Sequence, residues 1–284
     1  MNLKKSVISL FFIIVSINGS SQDSNVSKFD NIFTLKVLTK YNYMVYEDSL
    51  YDYELQTNRP LDIGVGIGYK DFTLDFSMST PFLYDRNYSR SKSYDLGSLY
   101  FYEDKCYFDG YIKYYDGFIN NDRNEVDITI CNIGFSGEYI FNESHSIRSA
   151  YNLDRKQLES NGSFLLGGGI FLLSIKSNDD YLSEYSERKI TYYFGPNIGY
   201  SYTLILKDNF FINALITFGV NCIVNKERIS FGLQTLPKFS FGYHSKTWSI
   251  NIYSNTSLLN NYLSESNSIV IAAETIGIVF SKRL

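Results

Sequence analysis

The sequence predicts a single antiparallel up-and-down transmembrane β-barrel of about twelve strands. Three observations carry this expectation: a leader-like N-terminus, alternation of apolar and polar residues along the whole chain, and alternating runs too long for an ordinary soluble sheet.

The first is the N-terminus. Lys4 and Lys5 precede the apolar run VISLFFIIV, and Gly19, Ser20 and Ser21 follow it before Gln22. A basic start, a short apolar stretch and a small-residue cleavage site make a secretory signal peptide. Residues 1–21 are therefore expected to be removed after Ser21, leaving 22–284 as the barrel domain. A retained membrane helix would need about twenty apolar residues, more than this run supplies.

Composition narrows the classes further. Without Lys4 and Lys5, the 26 Lys and Arg fall to 24 against 30 Asp and Glu, a net charge of about −6 that argues against a nucleic-acid partner. With 26 Tyr and 22 Phe but only 4 Pro, the chain favours strands. Cys106, Cys131 and Cys222 lie far apart in apolar or aromatic runs. No Cys/His spacing suggests a metal, no cofactor is expected, and each cysteine reads as a small strand residue.

The alternation is clearest in LDIGVGIGYKDFTLDFSMS. Leu61, Ile63, Val65, Ile67 and Tyr69 share one face, with Asp62, Gly64, Gly66 and Gly68 opposite. After the turn at Lys70-Asp71, Phe72, Leu74, Phe76 and Met78 continue the apolar face while Thr73, Asp75, Ser77 and Ser79 continue the polar one. The pattern returns from Ile190 to Leu204 and from Ile229 to Tyr243, in runs of about fifteen residues that suit a tilted membrane wall.

Strands are expected near 32–46, 61–69, 72–79, 93–102, 106–118, 126–141, 163–175, 190–206, 210–224, 229–244, 248–258 and 269–281. Short turns at Lys70-Asp71, Glu103-Lys105, Asn142-His145, Lys207-Asn209 and Ser245-Thr247 alternate with longer polar loops, as in outer-membrane barrels with periplasmic short turns. Two crossings within 146–175 would give an odd count and put the termini on opposite sides. The stretch SNGSFLLGGGIFLLSI, residues 160–175, is therefore expected to hold one wall strand, and 146–161 to be either a distorted approach to it or an inward excursion that bends into the lumen. A soluble sandwich would carry more charge on its polar face than the Gly, Ser, Thr and Asn found here.

Candidate chemistry is sparse. Gly64 to Gly68 and Gly167 to Gly169 do not open a helix, as a phosphate loop must, and read as small residues where strands crowd or bend. A barrel lipid hydrolase would need Ser and His together at the outer rim. The two histidines, His145 and His244, fall instead at predicted periplasmic turns.

The inner face is expected to carry Asp62, Asp75, Asp95, Asp109, Lys113, Asp127, Lys238 and Glu274. Such charges either pair in a closed interior or line a narrow polar pore with an acidic, cation-favouring bias. The polar stretch 152–160 reads either as an ordinary loop or as an inward bend, which would add Asn152, Asp154, Arg155, Gln157, Glu159 and Ser160 as a plug or a ligand site.

Several features resemble a known family. They are Lys92-Ser93-x-Asp95, Tyr115-x-Gly117-Phe118, Phe141-Asn142 with its turn, Gln157, and Ser160-x-Gly162-Ser163-Phe164-Leu165-Leu166-Gly167-Gly168, with Pro60 through Lys70. Together they are similar to the uncharacterised bacterial family catalogued as domain of unknown function 4421. The resemblance implies a β-barrel-like fold and no assigned activity.

The expected protein is thus a barrel of a Gram-negative outer membrane, with outer-membrane lipids and the barrel assembly machinery as its partners. Its expected role is a narrow polar-solute channel or a structural envelope component. A lipid- or envelope-modifying barrel enzyme and a surface recognition barrel are the alternatives.

Overall fold

The computed structural model describes residues 25–30, 33–48, 53–58, 60–80, 92–120, 122, 124–179, 185–207, 209–226, 229–260 and 269–284. The expected leader, residues 1–21, lies outside them.

In chain order the elements are β1 (Val26–Lys28), β2 (Phe33–Asp48), β3 (Tyr53–Thr57), β4 (Leu61–Tyr69), β5 (Phe72–Ser79), β6 (Lys92–Tyr102), β7 (Cys106–Asn120) and β8 (Glu125–Ile140). A short helix, α1 (Ile147–Tyr151), and β9 (Arg155–Gln157) follow. The chain continues through β10 (Asn161–Ser177), β11 (Lys189–Lys207), β12 (Phe210–Val224), β13 (Ile229–His244), β14 (Trp248–Asn260) and β15 (Ile269–Arg283).

Twelve of these, all but β1, β3 and β9, form a closed antiparallel ring. Neighbours in sequence pair throughout, and β15 closes on β2 from Ile269↔Asp48 to Arg283↔Thr34. Closure leaves no sheet edge, which is the condition for strands to stand in hydrocarbon. The stretch 163–175 is one crossing, as parity required, within Asn161–Ser177.

The ring is inside-out relative to a soluble sheet. Along β4, Ile63 and Val65 are 49% and 62% exposed while Asp62 is 0% exposed, because the apolar phase of the alternation points to lipid and the polar phase to the lumen. At the short-turn end, outward Tyr69, Phe72, Tyr100, Tyr102 and Phe210 stand exposed. Tyr243, Trp248 and Phe280 continue the row with ring centroids 5.3 and 5.9 Å apart. Such an aromatic girdle marks a membrane interface, and outer-membrane barrels keep their short turns, as at this end, on the periplasmic side.

The wall is not uniform in height. β4, β5 and β6 have 9, 8 and 11 residues, against 16 in β2 and 15 in β7. Beyond their outer ends β3 bridges the gap, pairing with β2 at Val45↔Gln56 and with β7 at Thr57↔Phe118. One strand there replaces three. Because barrel diameter grows with strand number, the outer half is narrower, and side chains suffice to fill it. The sequence placed 53–57 in a loop, since YELQT has no apolar alternation to announce a strand.

Candidate functional site: a closed chamber in the lumen

The lumen has three levels. In the outer half, Leu55, Phe118, Val126, Ile128 and Ile130 pack with Phe171, Leu173 and Ile175 into an apolar cluster. These β8 and β10 residues invert the usual phase, because this part of the interior is packed and dry. That inversion corrects one expectation: Asp127 shares its face with Thr129 and Cys131, opposite the inward Val126 and Ile128.

At the periplasmic end the chain from 144 to 157 folds into the barrel, the inward excursion of the two alternatives. All but the last residue of α1 is buried. The carbonyl of Ala150 accepts hydrogen bonds from Ser240 Oγ (3.1 Å) and Asn251 Nδ2 (2.9 Å), and that of Leu153 from Arg283 Nη1 (2.8 Å). β9 then pairs with β1, a strand the alternation did not reveal, at Val26↔Gln157.

Arg148 fastens this insert to the wall. Its guanidinium meets Asp71 (2.6 Å) in the β4–β5 turn and Asp104 (2.9 Å) in the β6–β7 turn, and it also pairs with Asp154. It lies over the ring of Phe101 at 5.0 Å. Burial alone would lower its pKa, but the hydrogen bonds and charges of Asp154, Asp71 and Asp104 outweigh that and push it up.

Of the inward-bend candidates, Asn152 accepts a hydrogen bond from Thr73 Oγ1, and Arg155 reaches Asp104 at 3.1 Å. Gln157 accepts from the Ser146 N–H (2.8 Å) and donates to the Ser144 carbonyl (2.7 Å). Glu159 and Ser160 are corrections, for both are exposed. The chain must leave the lumen to join the wall at Asn161, so 158–160 lie on the rim, where Ser160 Oγ accepts the Ile205 N–H at 2.9 Å.

Between the apolar cluster and the insert lies a cavity of about 170 Å³. Asp75, Asp95, Asp109 and Glu138 line it with Lys36, Lys40, Lys113 and Lys238. Lys40 pairs with Asp95 at 3.0 Å, Lys36 with Asp75 at 3.7 Å, and Lys238 with Asp109. Lys113 donates to Thr275 Oγ1 (3.1 Å), Thr275 to Asn42 Oδ1 (2.7 Å), and Asn42 to Asp62 Oδ2 (2.7 Å). Ser93 Oγ donates to the other Asp62 oxygen at 2.7 Å. Glu138 accepts from Asn197 Nδ2 at 3.1 Å.

Six of the expected lumen charges thus come together here: Asp62, Asp75, Asp95, Asp109, Lys113 and Lys238. Glu274 does not. It follows Ile276, Ile278 and Phe280 on the outward face of β15, half-exposed, because the phase of that strand turns Ala273 and Thr275 inward. Of the two arrangements expected for these charges, paired or lining a pore, Lys36, Lys40 and Lys238 adopt the paired one. Sequence reasoning missed Lys36, Lys40 and Glu138. Lys36 and Lys40 were legible, standing on the polar phase of β2 with Thr34 and Asn42.

The histidines lie at the periplasmic end. His145 Nε2 is 2.9 Å from Ser201 Oγ and His244 Nδ1 is 2.8 Å from Ser249 Oγ, but both serines are fully buried. The second ring nitrogen of each histidine meets no hydrogen-bond partner. A hydrolytic triad needs an orienting acid there and an accessible nucleophile.

A closed twelve-strand ring with an apolar outer face defines an outer-membrane β-barrel. Residues 23–278 match the family described as domain of unknown function (DUF4421), and the chain belongs to that family. A search of curated proteins found no match.

Among solved structures, the chain is similar to the translocator domain of the autotransporter NalP from Neisseria meningitidis, with 11% identity and a TM-score of 0.46 over 99% of this chain and 95% of that one. It is similar to the beta domain of the Bordetella autotransporter BrkA, with 8% identity and a TM-score of 0.46 over 89% and 100%. A bacterial polysaccharide outer membrane secretin is similar at 9% identity and a TM-score of 0.42, over 89% and 99%. At these values the likeness lends nothing on role.

Proposed function

We propose that this barrel is a plugged component of the outer membrane, closed at rest, reached after removal of residues 1–21 and inserted by the barrel assembly machinery among outer-membrane lipids. The observation that carries the reading is the double closure of the lumen. An apolar cluster fills the outer half, and an insert hydrogen-bonded to β13, β14 and β15 fills the periplasmic half. Ion pairs between Lys and Asp consume most of the charge that a cation pore would offer to a passing solute.

Planar-bilayer recording tests this directly. The purified barrel is expected to be silent, and to show heat-modifiable gel mobility with Gln22 as its first residue. Stable openings that shrink in Asp75→Asn and Asp109→Asn would replace the plugged reading with a narrow polar-solute channel.

A further inference from the structure

We propose that the cavity between the two closures binds one small, neutral, hydroxyl-rich molecule of about monosaccharide size. The inference rests on the plugged reading and specifies what the plugged barrel holds.

Three features define the guest. The first is a shortage of donors. Glu138 Oε2 and Asn255 Oδ1 are buried acceptors that meet no hydrogen bond, and Glu138 is only 3% exposed. The Tyr151 hydroxyl, on the same cavity wall, also meets no partner and could accept from a guest as well as donate to it. Buried polar groups are nearly always satisfied, so an occupant that donates several hydrogen bonds is called for.

The second is charge. Lys36, Lys40 and Lys238 on the cavity wall are each paired with a carboxylate, so a charged guest would have to compete with an ion pair in a dry interior, and a neutral one would not. The third is shape. The rings of Tyr107, Tyr111, Phe171 and Tyr253 supply apolar faces between these polar groups. About 170 Å³ is roughly half the lower bound of pockets that hold drug-sized ligands, which suits a single small ring.

Gly97 adds an independent sign. A Cβ on Gly64, Gly66, Gly134 or Gly277 would approach another atom within 2.5 Å, so close packing demands those glycines. A Cβ on Gly97, which lines the cavity, would meet nothing within 4 Å. Packing therefore leaves room there for a side chain that β6 does not carry.

The test uses the full-length barrel purified from outer membranes, incubated with radiolabelled D-glucose or myo-inositol and then passed through gel filtration. The wild type is expected to take up about one probe per barrel slowly and to release it slowly, because the insert must move. Arg148→Met, which loosens the insert, should exchange either probe faster, and Gly97→Leu, which fills the space, should retain neither. Should Gly97→Leu fail to fold, Glu138→Gln should weaken retention about tenfold, since it turns a needed acceptor into a donor.

Uptake in Arg148→Met alone still supports the site, with a slower gate in the wild type. No uptake of either probe in Arg148→Met, or equal uptake in Gly97→Leu, overturns it. A silent bilayer beside absent uptake would overturn the binding site and leave the plugged barrel standing.

Discussion

The outer and periplasmic halves of the lumen are both closed, but by different means. The outer closure is made mainly of wall side chains, such as Phe118, Ile128 and Leu173, which cannot leave without unmaking the ring. The periplasmic closure is a separate stretch of chain held by hydrogen bonds and by the Arg148 ion pairs. One is part of the barrel's stability, and the other is a part that can be unlatched.

The largest effect that would sharpen this contrast lies in the fixed half. Phe118→Ala should cost about 3–5 kcal/mol of barrel stability, as for a large core aromatic, and lower the unfolding midpoint of the whole ring. Hydrogen exchange in 146–157 should change no more than elsewhere. If that segment alone loosens, the two halves are not separate.

Acid should act on the periplasmic half. Burial holds the His145 imidazole down at about 4, so the folded protein keeps it neutral while the unfolded chain takes up a proton near 6.5. Stability from this group is complete above about pH 6.5 and is lost as pH falls toward 4, up to about 3 kcal/mol in all. Denaturation midpoints measured across that window should fall in the wild type and fall less steeply in His145→Asn. An equal slope in both proteins would place the acid sensitivity elsewhere.

The smallest of the three effects belongs to the latch. Arg148→Met should cost on the order of 2 kcal/mol, less than a fully buried ion pair, because Asp71 and Asp104 remain partly in solvent. Its signature is local. Protease cleavage within 146–160 should rise several-fold while heat-modifiable mobility persists, and unchanged cleavage would show that the insert does not depend on the latch.

Much of the wall was legible. Four of the twelve expected ranges, 61–69, 72–79, 210–224 and 229–244, coincide with β4, β5, β12 and β13. They do so because one face in lipid and one in a polar lumen impose a strict period of two. Legibility failed where that contrast vanished. Val126, Ile128 and Ile130 are apolar and yet inward, so Asp127 was misassigned; Glu274 took the wrong face in a strand whose inward Ala273 carries little polarity. β1, β3 and β9 are too short to show a period.

The candidate site was half legible. Asp62, Asp75, Asp95, Asp109, Lys113 and Lys238 sat on clean polar phases, but nothing local shows that Lys238 finds Asp109 across 129 residues or that Arg148 finds Asp71 across 77.

The sequence by itself determined the class, a membrane barrel, and its strand count, because alternation and parity can be read along the chain. Only the tertiary structure decided that 144–157 turns inward, that the lumen is filled from both ends and that its lysines pair with its carboxylates. Those facts depend on which strands meet across the ring, on β3 narrowing it, and on how much volume the inward side chains leave unfilled.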